Sequence, residues 1–145
     1  MLSKKSQYSI YALIKLAKEK DKGPILIRDI AESEKIPRKF LEAILLDLRN
    51  LGIIASKKGK GGGYYLIKDP DEIDLATIIR KFDGALALIP CASKNYYEQC
   101  KHCKDEETCG VKVVFDDLRN ETDRMLKSIS IGDILARDEK LKKQS

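Results

Sequence analysis

Residues 37–70 read "PRKFLEAILLDLRNLGIIASKKGKGGGYYLIKDP", and their periodicity changes at Gly52. Before Gly52, apolar residues recur at three- and four-residue steps, which is typical of a helix with one buried face. Pro37 suits the first position of that helix, and Gly52 ends it. After Gly52, two short β-prone runs at 53–55 and 64–67 flank a loop rich in lysine and glycine, which predicts a hairpin. The predicted apolar face of the helix comprises Phe40, Leu41, Ile44, Leu45 and Leu48.

Two further helices are predicted upstream of this stretch. Residues 3–20 place Tyr8, Tyr11, Ile14 and Leu16 mostly at helical spacing, and "DKGP" at 21–24 ends that helix. A second, brief helix surrounds Ile30. Three short helices followed by a two-stranded hairpin form the winged helix-turn-helix. The predicted fold class is therefore mainly α with a small β-hairpin.

Downstream, "DLATIIRKFDG" at 74–84 predicts a fourth helix that buries Ile78, Ile79 and Phe82. A polar, aperiodic cysteine segment follows, and then a long helix begins after Gly110. We predict a winged helix-turn-helix DNA-binding domain over 1–84 and a cysteine-rich sensor loop over 85–110. A dimerisation helix and the segment after it take up 111–136, and a disordered tail takes up 137–145.

The charge distribution indicates a DNA-binding surface. The chain has 145 residues and a net charge of +5, with 28 Lys and Arg against 23 Asp and Glu. No acidic residue lies between Leu48 and Lys68, so positive charge is concentrated on the hairpin, where lysines on a glycine loop can neutralise phosphates. The alternatives are an exposed turn with solvated lysines and a nucleotide phosphate loop, but the latter needs a Lys-Ser/Thr pair that is absent. The candidate DNA-binding residues are Arg38, Lys39, Glu42, Arg49, Lys57, Lys58, Lys60, Gly61, Gly62 and Tyr64.

All four cysteines and the single histidine lie between residues 91 and 109. The chain lacks both a membrane-length apolar run and the apolar stretch of a signal peptide, so we expect a cytoplasmic protein, in which clustered thiols indicate metal binding or redox chemistry. Four thiolates suffice for an iron-sulfur cluster or for tetrahedral zinc. Lys101, Lys104 and Lys112 could lower the thiol pKa values, and nearby carboxylates oppose this. The candidate metal ligands are Cys91, Cys100, Cys103 and Cys109.

The long helix carries one narrow apolar stripe, which must be covered either by a second copy of the chain or by the chain's own core. A second copy would form a symmetric interface, which would mirror a two-fold operator. The candidate dimerisation residues are Val111, Val114, Leu118, Thr122, Met125 and Ile129.

Five segments of the chain resemble, in order and spacing, the Rrf2 family of bacterial winged-helix transcriptional regulators, which includes IscR-, NsrR- and CymR-type proteins. They are "KKSQYSIYALIKLA", "IPRKFLEAILLDLRNLGII", "KGKGGGYYLIKDPDEIDLATIIR", "CKDEETCGVKVVFDDL" and "SIGDIL". The Gly-Gly-Gly-Tyr wing and the Cys-x5-Cys pair, Cys103 and Cys109, are the most specific parts. The resemblance implies a homodimer on pseudo-palindromic double-stranded DNA and, in IscR- or NsrR-like members, a 2Fe-2S cluster.

The cysteine pattern departs from that of the cluster-binding relatives. They use Cys-x5-Cys-x5-Cys and one other ligand, whereas only the second interval is present here, so the first thiol could be Cys91 or Cys100. Lys112 stands where an IscR-like protein has histidine, and Gln7 stands where some relatives donate a carboxylate. His102 lies between two candidate ligands and is either solvated or a substitute for one cysteine. The sequence leaves four alternatives for these cysteines: an iron-sulfur cluster, a zinc site, reversible thiol oxidation or inert thiols.

These observations predict a DNA-binding transcriptional regulator, not an enzyme, with operator affinity controlled by a cysteine-ligated cluster. One alternative is a thiol- or zinc-based regulator, and a second is a zinc-stabilised module whose winged helix binds protein. A third is an oxidoreductase using Cys100 and Cys103, but such pairs usually begin a helix after a strand, and this pair lies in a polar loop.

Overall fold

The computed structural model describes all residues from Met1 to Ser145 and confirms the winged-helix fold. Three helices precede an antiparallel hairpin, and three helices follow it. The elements are α1 (Lys4–Lys18), α2 (Ile27–Glu34), α3 (Arg38–Asn50), β1 (Ile54–Lys57), β2 (Gly63–Leu66), α4 (Leu75–Asp83), α5 (Gly110–Ser128) and α6 (Ile131–Lys143).

The hydrophobic core lies between α1, α3 and the hairpin. Helix α3 buries Leu41, Ile44, Leu45 and Leu48, because their spacing places them on one side of the helix. Phe40 was predicted on the same face but is 47% exposed, and its ring meets that of Tyr8 edge-on at 5.9 Å. Phe40 immediately precedes Leu41, so a step of 100° carries it from the core to the rim of the apolar face.

Helix α1 also differs from the predicted pattern at one position. Its buried apolar residues are Ala12, Leu13, Ile14 and Leu16, whereas Tyr11 is 51% exposed. A tyrosine at the edge of an amphipathic helix can keep its hydroxyl in water while its ring partly packs, which explains this placement.

The hairpin forms the wing in the predicted place. Ile54 pairs with Leu66 and Lys57 pairs with Gly63, so the two strands are in register around a turn at 58–62. Tyr64 exchanges two backbone hydrogen bonds with Ile25, at 2.7 and 2.8 Å, which attaches the wing to the start of α2. Gly63 has a φ of 140°, and a Cβ there would collide with the backbone of Ile25. Only glycine permits this close approach.

Helix α4 begins at Asp74, whose carboxylate accepts a hydrogen bond from the Thr77 amide at 2.8 Å. Ile78 and Ile79 are buried as predicted, and Phe82 is half-buried. Helix α4 thus closes the winged-helix domain and presents its outer side to α5.

The C-terminal residues 137–143 are helical and not disordered as predicted, because α6 continues to Lys143. Ser130 and Asp133 form a capping box that fixes the start of α6. Ile131 is fully buried, and a Lys18–Asp138 ion pair of 3.8 Å joins α6 to α1. These contacts supply the stability that a short charged segment lacks by itself.

No helix in the structure combines the length and the apolar character needed to span a membrane.

Candidate functional site

The first part of the candidate site is the exposed surface at the start of α3. Arg38, Lys39 and Glu42 are all exposed there, and Arg38 Nε lies 3.3 Å from Glu42 Oε1. This surface pair is weak, since exposed ion pairs contribute about 0–1 kcal/mol, so either side chain can exchange it for another partner. Lys39 has no carboxylate within 4 Å.

The wing supplies the second part of this surface. Lys57, Lys58, Lys60 and Gly61 are exposed around the turn, and none of the lysines forms an ion pair. Arg49 is also exposed and contacts Ser56 Oγ of β1 at 3.3 Å, which joins α3 to the wing. This contact links the end of α3 to the strand that leads into the lysine-rich turn.

Two of the predicted DNA-binding residues lie inside the wing. Gly62 is buried, because it closes the turn against the backbone carbonyl of Lys57, where a Cβ would collide. Tyr64 is half-buried and packs against the hydrophobic core. Both residues shape the wing, and they offer less surface to a ligand than the lysines do.

The four cysteines line one cavity of about 450 Å³, which we call the thiol cavity. His102, Glu106 and Lys112 contribute to the same wall. No disulfide joins the cysteines, and all four are free. Sequence reasoning predicted a common site from spacing alone, and the structure places all four residues around one space.

The four thiols have different structural supports. Cys91 is buried on a short 3-10 turn, Pro90–Ala92, whereas Cys100 is exposed. The amide of Cys103 donates to the carbonyl of Cys100 at 3.0 Å, so these two residues share a tight turn. Cys109 is the N-cap of α5, and its Sγ accepts a hydrogen bond from the Lys112 amide at 3.5 Å.

The electrostatic environment raises, and does not lower, the pKa of Cys103. Burial is the main cause, and Glu106 and the other three thiols add to it. The neighbouring lysines were expected to lower the thiol pKa values, but at Cys103 the pKa is raised. Tyr97 donates a hydrogen bond to Glu106, which raises the pKa of Tyr97 to about 12 and keeps its proton in place.

The donor set of the thiol cavity fits a thiophilic metal centre. Four cysteines line one cavity, and thiolates are the ligands that iron-sulfur clusters and structural zinc prefer. No group of three His, Cys, Asp or Glu side chains is already gathered as a metal site. The loop must therefore contract for its thiols to share one centre, and its residues are mostly exposed and hold few internal hydrogen bonds.

A charged stripe along α5 was not predicted from the sequence. Lys112 Nζ and Arg119 Nη1 each contact Asp116 at 2.8 Å, and Lys127 Nζ contacts Asp123 at 2.8 Å. The stripe comprises Lys112, Asp116, Arg119, Asp123 and Lys127, and its spacing of three and four residues was the available signal.

This charged stripe connects α5 to its surroundings. Arg119 donates to the carbonyl of Ala92, the residue after Cys91, and Arg80 of α4 pairs with Asp123. Because Lys112 donates a hydrogen bond to Asp116, the pKa of Asp116 is lowered and that of Lys112 is raised. Helix α5 is thus attached to the cysteine loop by the Arg119–Ala92 hydrogen bond and to the winged-helix domain by the Arg80–Asp123 ion pair.

The two residues at which the chain departs from the cluster-binding pattern lie in different places. Lys112 is in the wall of the thiol cavity. Gln7 lies on α1, donates to the Leu2 carbonyl at 2.9 Å and lines a different cavity with Ile134 and Asp138. Within one chain, Gln7 is therefore not part of the thiol cavity.

The apolar stripe of α5 is exposed. Helix α5 has no buried residue, so the chain's own core does not cover the stripe. Thr122 is also exposed, and Ile129 is half-buried at the end of the helix. The exposed fractions are 62% for Val111, 55% for Val114, 46% for Leu118 and 57% for Met125.

The Rrf2 family profile, described as "Iron-dependent Transcriptional regulator", matches residues 2–137. The chain belongs to the Rrf2 family. Rrf2 proteins are transcriptional regulators and not enzymes, so the family implies that this chain binds DNA.

Curated Rrf2 relatives match over nearly the whole chain. A protein of Rhodobacter capsulatus, named as an rrf2-like HTH-type transcriptional regulator, is 36% identical over 94% of this chain and 93% of its own. The HTH-type transcriptional regulator IscR of Aliivibrio salmonicida is 30% identical over 95% of this chain and 79% of its own.

Solved Rrf2 structures share the fold. IscR of T. potens has a TM-score of 0.77 and 26% identity, and covers 97% of this chain and 90% of its own. CymR, the global cysteine regulator of B. subtilis, also has a TM-score of 0.77 and 26% identity, and covers 94% of this chain and 97% of its own. The fold is thus equally close to an IscR and to a CymR.

Proposed function

We propose that this Rrf2 protein is a homodimer that binds a pseudo-palindromic operator, with an affinity set by a 2Fe-2S cluster on Cys91, Cys100, Cys103 and Cys109. The main support for a cluster is the thiol cavity, which is lined by four cysteines with free thiols. The description of the family as iron-dependent supports it.

The raised pKa of Cys103 disfavours thiolate chemistry at this one thiol in the metal-free protein. A thiol that is protonated at neutral pH is a weak nucleophile, because the thiolate is the reactive form. A bound cation overcomes the same barrier, since a coordinating thiol is deprotonated outright. The cluster would supply sensitivity to oxidants, nitric oxide or iron supply.

DNA binding is assigned to α3 and the wing. Arg38, Lys39 and Glu42 stand at the start of α3, which would enter the major groove. The exposed wing residues would follow the phosphate backbone, where each neutralised phosphate releases a counterion. These wing residues are Lys57, Lys58, Lys60 and Gly61, with Arg49 beside them.

The coupling between thiols and DNA is assigned to α5. Cys109 caps α5, and Arg119 joins the helix to the turn that carries Cys91. If Cys91 and Cys109 change position, both contacts change: the cap at the start of α5 and the hydrogen bond from Arg119 to Ala92. Because the exposed apolar stripe of α5 would form the dimer interface, a shift of α5 would change the spacing of the two α3 helices.

The test is to purify the protein without oxygen and to measure its visible absorption, iron, sulfide and zinc. Broad visible absorption with equal amounts of iron and sulfide supports the cluster. Each cysteine is then replaced by serine, with Ser93→Ala in the same loop as the matched control. Loss of iron in all four cysteine variants, but not in the control, supports the four-thiol ligand set. Zinc in place of iron, or no metal, refutes the cluster and leaves the DNA-binding proposal standing.

The second candidate is reversible thiol oxidation without a metal. It is favoured by the similarity to CymR and by the tight turn that holds Cys100 and Cys103 together. Metal-free protein that loses two hydrogens per disulfide on mild oxidation, and then changes its operator affinity, would support this candidate. An unchanged operator affinity after replacing all four cysteines with serine refutes both forms of thiol control.

A further inference from the structure

A second cavity, of about 260 Å³, lies between α4, α5 and the segment 84–95. We call it the α4–α5 cavity. No cysteine lines it, so it is distinct from the thiol cavity. Its charged lining residues are Arg80, Lys94, Arg119, Asp123 and Lys127.

The lining of the α4–α5 cavity has an excess of positive charge. Four cationic side chains face a single carboxylate, Asp123. Arg80 and Lys127 share that carboxylate, and Arg119 shares Asp116 with Lys112. Lys94 has no carboxylate within 4 Å. The ion pairs within the chain therefore leave part of this charge uncompensated.

The central groups of this cavity are partly removed from water. The side chains of Arg119 and Asp123 are 15% and 16% exposed, and that of Arg80 is 36% exposed. Charges in such a position interact more strongly than on an open surface, because solvent screens them less. An anion in the cavity would gain from this weaker screening.

Neutral hydrogen-bond donors complete the lining. Ser93 is buried, and its hydroxyl accepts from the Tyr96 amide at 2.9 Å while keeping its own proton to donate. Asn95 adds an amide. A planar guanidinium such as that of Arg80 matches the two oxygens of a carboxylate or phosphate.

We propose that the α4–α5 cavity binds a small anion through a carboxylate or phosphate group. The cavity lies where the winged-helix domain, the long helix and the loop on either side of Cys91 meet. A ligand there would contact α4 and α5 together and stabilise one arrangement of the two helices. The proposal concerns a site separate from the cysteines and does not depend on a cluster.

The experiment is a titration of the full-length protein with succinate and, separately, with inorganic phosphate, followed by calorimetry and thermal unfolding. Sodium chloride keeps the ionic strength constant and serves as the reference anion. At least one of the two anions is expected to give a saturable binding heat and to raise the Tm. The anion that binds more tightly then shows whether the cavity prefers a carboxylate or a phosphate group. Absence of saturation by both, or the same response to chloride alone, overturns the proposal.

Variants locate the binding. Arg80→Gln is expected to lower the affinity for the anion at least about tenfold, since it removes a charged hydrogen-bond donor. Arg124→Gln on α5 is the matched control, because Arg124 pairs with Glu121 outside the cavity at 2.7 Å. If Arg80→Gln does not fold, Lys94→Gln is measured in its place, because Lys94 is exposed and forms no ion pair. Equal affinity in the cavity variant and in the control overturns the proposal.

Discussion

Replacing Val114 with glutamate is expected to dissociate the proposed dimer, whereas the same change at Val113 is not. The two valines are neighbours on α5 and are almost equally exposed, at 55% and 53%. Only Val114 belongs to the apolar stripe, because one helical step of 100° turns Val113 away from it. The pair therefore separates the effect of the stripe from that of adding charge to α5.

The expected loss follows from the exposed fractions. Complete burial of a side chain of this kind contributes about 1.5–3 kcal/mol, and roughly half of the Val114 surface is still available to a partner. Each valine would thus contribute about 1 kcal/mol to dimerisation. A two-fold interface contains Val114 twice, so the substitution would remove about 2 kcal/mol of dimerisation free energy. This loss raises the Kd of the dimer at least about 30-fold. The burial of two carboxylates adds to this.

The assay is sedimentation velocity over a concentration series, with circular dichroism to verify that each variant is folded. Wild-type protein and Val113→Glu are expected to give the same dimer Kd, and Val114→Glu is expected to give monomers at concentrations where the wild type is dimeric. Equal behaviour of the two variants, or a wild-type protein that is monomeric throughout, would refute assignment of the dimer interface to the stripe.

Three further changes test other parts of the structure. Lys60→Gln on the wing should weaken operator binding similarly for specific and unrelated DNA and reduce the salt slope by about 1; an unchanged slope in a salt titration would place Lys60 off the backbone. Gly63→Ala should lower the free energy of unfolding by more than about 1 kcal/mol in urea, because its Cβ meets Ile25, whereas Gly110→Ala has open space and should not. Asp133→Asn should lower the free energy of unfolding at pH 7. Since hydrogen bonds from Ser130 lower the folded pKa of Asp133, this difference should vanish as the pH falls below that pKa; a constant difference from pH 7 to 2 would contradict the capping role.

The fold was predictable because local signals agreed with tertiary packing. Pro37 and Gly52 bound α3, and the change of period after Gly52 marks the hairpin. The errors occur where long-range contacts decide the outcome. Helix α6 is stabilised by packing Ile131, Ile134 and Leu135 against the core, a tertiary contact that the mostly charged residues after Arg137 do not indicate.

The candidate site was predictable in its residues but not in its electrostatics. Clustering in sequence predicted that the four cysteines would share one space, because a short loop cannot carry them far apart. Whether lysines or carboxylates set the pKa of Cys103 depends on distances through space. Burial raises the pKa of Cys103 most, and Glu106 and the other thiols add to this, while Lys112 is held by Asp116 on α5.

The two faces of α5 together explain how a signal at the thiols could reach DNA. The outer face is an exposed apolar stripe, and on the inner side Asp123 pairs with Arg80 of α4. A packed core resists small displacements, whereas partly exposed ion pairs can exchange partners at low cost. The carboxyl end of α5 is fixed more firmly, because the Leu75 amide donates to the Ile129 carbonyl at 3.0 Å. A shift at the cysteine end of α5 would therefore act on the winged-helix domain through the Arg80–Asp123 pair and this backbone contact.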